Sequence, residues 1–112
     1  MADDGRTVVL RHSRDKDGSR YLGATLAAGL LRIEGQDLGP GVEAILGARE
    51  YEWTWTVAAA AIPAAVDVLG GAPGSDPLTV LAAWSSANGD ADPGQRLRDA
   101  GLAVEFWSRI GD

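Results

Sequence analysis

The sharpest pattern in the chain is Glu50-Tyr51-Glu52-Trp53-Thr54-Trp55-Thr56-Val57, where every odd position is aromatic or Val and every even position is polar. Such strict period-two alternation, built from strong strand formers, predicts a half-buried β-strand. Tyr51, Trp53, Trp55 and Val57 are expected to face the core, and Glu50, Glu52, Thr54 and Thr56 to face away. Earlier in the chain, Thr7 to His12 reads as a strand, followed by a polar turn or loop from Ser13 to Ser19. Tyr21 to Ala28 and Leu30 to Gln36 read as a hairpin around Gly29. In its second strand Leu31 and Ile33 point one way, and Arg32, Glu34 and Gln36 the other. Gly39-Pro40-Gly41 opens a short helix over Val42 to Leu46, which Gly47 stops in a left-handed conformation.

The second half changes period. Ile62, Ala65, Val66 and Leu69 fall at helical spacing before Gly70-Gly71. Asp76-Pro77 caps a second helix, with Leu78, Leu81 and Trp84 or Ser85 as its inner stripe. Asp92-Pro93-Gly94-Gln95 resembles a capping box and opens a third, carrying Leu97. Ala103 to Ile110 closes as a strand, with Val104 and Phe106 on one face and Glu105, Trp107 and Arg109 on the other. The order β-β-β-α-β-α-α-α-β, strands early and helices late, predicts an α+β fold. It implies a mostly antiparallel sheet of about five strands with helices on one face. With 112 residues and no linker or internal repeat, the chain reads as one domain, residues 1–112.

Charge narrows the function classes. The formal net charge is −6, and residues 33–76 carry seven acids against one base. An acidic middle repels phosphate, which disfavours nucleic acid and suits a basic partner. The absence of cysteine excludes disulfides, thiolate metal sites and cysteine nucleophiles. No run approaches the ~20 apolar residues of a membrane span, and Met1 to Arg6 lacks the apolar core of a signal peptide. A cytoplasmic protein is expected.

No motif carries recognisable chemistry. Asp15-Lys16-Asp17-Gly18 starts like a calcium loop, but Leu26 stands where a bidentate Glu belongs, so a polar hairpin turn is the better reading. Gly70 to Ser75 is glycine-rich without the Lys-Ser or Lys-Thr of a phosphate cradle. His12, the only histidine, is in phase with Val8 and Leu10 and reads as a strand-end residue rather than a metal ligand. No metal or cofactor is implied. What remains is a face. Arg32, Glu34, Glu50, Glu52, Thr54, Glu105, Trp107 and Arg109 share one side of the sheet if their strands are neighbours. Trp and Arg are enriched among residues that carry binding energy, which marks Trp107 as a candidate anchor. Cover by a helix edge or by the N-terminal segment is the competing reading.

The phrases Glu34-Gly35-Gln36-Asp37-Leu38-Gly39, Tyr51-Glu52-Trp53-Thr54 and Phe106-Trp107-Ser108-Arg109 resemble those of small, mostly uncharacterised actinobacterial proteins, from about residue 20 onward. In size, acidity and element order the chain is also similar to immunity proteins of bacterial toxin systems, a likeness of architecture that does not by itself fix function. That likeness implies a module that docks a protein partner on its open face. The alternative is a small enzyme or ligand-binding protein with a pocket between sheet and helices, using Glu34 or Glu52 with Arg32 or Arg109. No nucleophile–base pair is legible for it. Self-association through the open face is a third expectation.

Overall fold

The computed structural model describes residues 5–111. Three long strands, β1 (Arg6–Asp15), β2 (Gly18–Ala27) and β3 (Leu30–Leu38), lead into helix α1 (Pro40–Leu46) and strand β4 (Glu50–Val57). A single 3-10 turn at Ala59–Ala61 then runs into α2 (Ile62–Val68), α3 (Pro77–Asn88) and α4 (Pro93–Asp99), and β5 (Glu105–Gly111) closes the chain. All pairings are antiparallel and the sheet order is β1-β2-β3-β4-β5, so β1 and β5 are its edges. The α+β architecture and the element order are those expected from the residue pattern.

Each turn has a local cause. β2 and β3 meet at Ala28-Gly29, both with positive φ (52° and 75°), the geometry that matches the twist of a two-residue hairpin. The polar stretch from Ser13 to Ser19 holds the expected hairpin turn, but a narrower one: β1 and β2 stay paired through Asp15 and Gly18, and only Lys16-Asp17 turn. There the Asp15 carboxylate accepts from the Asp17 amide at 2.8 Å, so the polar run closes the hairpin. A bulge between Val9 and Arg11 shifts the phase of β1, which separates His12 from Val8 and Leu10. His12 lies instead opposite Tyr21, with ring centres 5.9 Å apart edge to face.

The helices cover one side. Leu22, Ala24, Leu31, Ile33, Trp55 and Val57 from the strands pack against Ala65, Val66, Leu69, Leu78, Leu81 and Leu97 from α2, α3 and α4. Trp55 is the keystone. Its ring lies against Gly94 at the start of α4, where any Cβ would collide with it, and its Nε1 donates to Asp92 at 3.0 Å. The other Asp92 oxygen accepts from the Gly94 amide at 2.9 Å. The capping box does not form as expected: the Asp92 oxygens are taken by Trp55 and the Gly94 amide, and Gln95 donates forward to Asp99 at 2.8 Å. Two aromatic positions also need correcting. Tyr51 and Trp53 point to the helix side but are only half-buried, because the α2–α4 layer stops short of that end of the sheet. They stack on each other at 5.3 Å instead.

Asp76 caps α3, accepting from the Thr79 amide at 3.2 Å and pairing with Arg6 of β1 at 2.6 Å. Its carboxyl is held below the ordinary Asp range, first by the hydrogen bond from Arg6 and then by those from Thr79. A depressed carboxyl stabilises the fold above its unfolded value, at about pH 4, and that stability is lost as pH falls through the folded value. Asp76→Ala should therefore cost about 1 kcal/mol at neutral pH, the usual worth of a cap. Urea titrations at successive pH values should show the gap to wild type narrowing as pH falls below about 4.

Candidate protein-docking face

Strand register decides which side chains meet. Trp55 sits opposite Ile33 and Phe106 on the helix side, so their sequence neighbours turn to the other side together. Thr54 lies opposite Glu34 and Trp107, Thr56 opposite Arg32 and Glu105, Glu52 opposite Gln36 and Arg109, and Glu50 opposite Leu38 and Gly111. All eight residues expected to share a face do share it: Arg32, Glu34, Glu50, Glu52, Thr54, Glu105, Trp107 and Arg109. Tyr21, Thr25 and His12 extend it toward β1. The register places no α2–α4 core contact on this side, since every strand residue of the buried core belongs to the opposite parity.

Trp107 is 53% exposed, and Arg32, Glu34, Glu105 and Arg109 are exposed around it. Among the described residues, no helix edge or strand lies over the Trp107 ring closely enough to bury it. The competing reading, in which an N-terminal segment covers Trp107, falls partly on residues 1–4, outside the described residues.

One end of the face is organised by Arg109. Its guanidinium reaches Glu52 at 3.2 Å and Glu50 at 3.4 Å, and Gln36 donates to the other Glu50 oxygen at 2.9 Å. The Glu52 carboxyl lies below the ordinary carboxylate range, through hydrogen bonding with Glu50 first and with Arg109 second. That is the wrong direction for a general acid, which needs a raised value near the working pH. Glu52 is therefore a structural anion here, and together with Glu50 it holds the Arg109 guanidinium. Glu34 and Glu105 take no hydrogen bond or ion pair from the described residues and face solvent. With four carboxylates against two guanidiniums among the eight residues, the face carries a net negative charge. A shallow depression of ≈ 190 Å³ opens on it between Tyr21, Glu34, Gln36, Glu52 and Thr54. Gly23 leaves room there, and the Tyr21 hydroxyl lies where a Gly23 Cβ would stand.

The expected pocket between sheet and helices is filled by the core around Ile33, Trp55, Leu81 and Leu97. A cavity of ≈ 380 Å³ lies elsewhere, at the sheet end that α2–α4 leave uncovered, between Asp37 and Tyr51 on the strands and Val42, Ile45 and Leu46 on α1. Burial pushes the Asp37 carboxyl up, against the pull of Arg20 and Arg11. Residue-level reasoning missed this site because Asp37, Arg20 and Tyr51 carry no shared motif, and only the register of β2, β3 and β4 joins them. Comparison of the chain with family models, with curated proteins and with solved structures gives no significant match.

Proposed function

We propose that this chain is an acidic, cytoplasmic protein-binding module that docks a basic partner protein on its uncovered sheet face, in the manner of an immunity or antitoxin protein. The observation that carries the reading is Trp107: a large aromatic residue, more than half exposed, set among charged side chains on the one side of the sheet the helices leave bare. Interfaces place such aromatic and arginine anchors at their centre and ring them with polar groups. Arg109 beside it is already oriented by Glu50 and Glu52, so little side-chain freedom is lost on binding. The free carboxylates Glu34 and Glu105 would steer a cationic partner toward the face. Salt should accordingly slow association more than it speeds dissociation. Co-expression with the product of any toxin-like reading frame beside this gene, followed by co-purification, tests the reading. Failure of every such product to bind would remove it.

A second reading rests on the cavity beside α1. Its volume falls within the range of small-molecule pockets, and it combines an aromatic floor at Tyr51 with a half-buried carboxyl at Asp37. A thermal-shift screen against metabolites separates the two, because only a ligand pocket gives stabilisation by a small molecule at saturation.

A further inference from the structure

β5 differs from every other element in the fold. Six of its seven residues are exposed, and on both sides of the sheet. Phe106 and Ile110 project to the helix side at 45% and 54% exposure, while Trp107 projects to the open side. The reason is the position of the helices. α3 packs on β1 and β2, and α4 reaches only as far as Trp55, so the cover ends one strand before the sheet does.

An edge strand exposes unpaired amides and carbonyls, and proteins usually blunt such edges with charge, proline, lysine or a bulge. β1, the other edge, is blunted. It has the bulge between Val9 and Arg11, it carries Arg6, Arg11, Arg14 and Asp15, and it is strapped by Arg6 to Asp76 and by Arg11 to the Gly89 carbonyl at 2.7 Å. β5 is blunted far less. Its register with β4 runs without a shift, it contains no Pro or Lys, and its one acid and one base cancel. In a chain of net charge −6 it is the neutral, apolar margin.

We propose that β5 is a dimerisation edge, on which a second copy of this chain pairs antiparallel with Ser108 at the two-fold axis. The sequence Glu105-Phe106-Trp107-Ser108-Arg109-Ile110-Gly111 is self-complementary in that register. Phe106 of each copy lies opposite Ile110 of the other on the helix side, which covers two exposed apolar pairs. Trp107 lies opposite Arg109 of the other copy on the open side, where a guanidinium can stack on the indole while keeping its bonds to Glu50 and Glu52. Glu105 falls diagonal to the same Arg109, within reach of a long side chain. Attraction between opposite charges and apolar burial thus favour the same register, which is the argument for a second copy over an unrelated strand. Such an isologous contact closes on itself and yields a dimer rather than a fibre. It is a small interface, so association on the order of micromolar is expected. The ten strands would form one continuous sheet whose two open faces lie side by side, with Trp107 at the dimer seam as well as on the docking face, so a docked partner and the second copy share that residue.

Sedimentation velocity from submicromolar to submillimolar concentration tests it. Wild type should pass from monomer to dimer, and Ile110→Lys, which puts a charge opposite Phe106, should weaken the dimer at least about tenfold. Trp107→Glu should do the same from the other side of the strand, and far-UV circular dichroism checks that both variants are folded. A wild type that stays monomeric throughout, or folded variants that dimerise as well as wild type, would overturn the proposal. A monomer that still captures a toxin-like gene product would overturn the dimer alone and leave the docking reading in place.

Discussion

Replacing Trp55 by alanine is expected to cost the fold about 3–5 kcal/mol, the usual range for emptying a large aromatic site. Burial and two contacts fix this ring. It is 2% exposed, it lies 4.5 Å from Phe106, and it supports Gly94 at the first turn of α4. Its Nε1 is also the partner of the Asp92 carboxylate, which loses a donor when the indole goes. The loss therefore joins a cavity to a weakened helix start. In a small domain of ordinary stability this removes a large share of the total. Urea unfolding followed by circular dichroism should show the midpoint falling sharply, with the slope unchanged if the transition stays two-state. Trp55→Phe should recover part of the loss by refilling the site without restoring the hydrogen bond to Asp92.

Trp107, one strand away, should behave in the opposite way. Trp107→Ala combined with Glu52→Lys is expected to leave stability nearly unchanged and to abolish capture of the partner. Surface substitutions commonly fall within about 0.5 kcal/mol of neutral, whereas truncating a central interface anchor costs about 2–4 kcal/mol of binding, roughly thirty- to a thousand-fold in affinity. Glu52→Lys adds a repulsive charge toward a basic partner and breaks the Arg109 bridge. Isothermal titration with the co-purifying partner measures the first effect, and urea unfolding the second. Binding that survives both changes would show that the partner docks elsewhere, with the α1 cavity the next surface to test.

The contrast between these two tryptophans shows what a residue pattern can and cannot reveal. Period-two alternation placed Trp55 and Val57 on the buried side and Glu52 and Thr54 on the other, because a strand has only two sides and the apolar one must be covered. The same rule turned Trp107 away from Phe106. The eight-residue face followed once β3, β4 and β5 proved to be neighbours, a fact that no local pattern contains. Coverage was the harder matter. Tyr51, Trp53 and Phe106 carry the apolar phase as clearly as Trp55, yet they stay half-buried or exposed, since short helices can shield only part of a five-stranded sheet. How far α3 and α4 extend across it depends on tertiary packing, and so does the bareness of β5. The β1 bulge moved His12 off its expected side for a similar reason: one extra residue reverses the phase, and nothing in Val8 to His12 announces it.

Hydroxyl-radical footprinting of the free chain at submicromolar concentration, read out by mass spectrometry at each tryptophan, tests the central claim most directly: helices shield one side of the sheet and leave the other open to solvent. Trp107 should be oxidised many times faster than Trp55, with Trp53 and Trp84 between them. Comparable rates at Trp107 and Trp55, or a protected Trp107, would mean that the supposed docking side is itself covered.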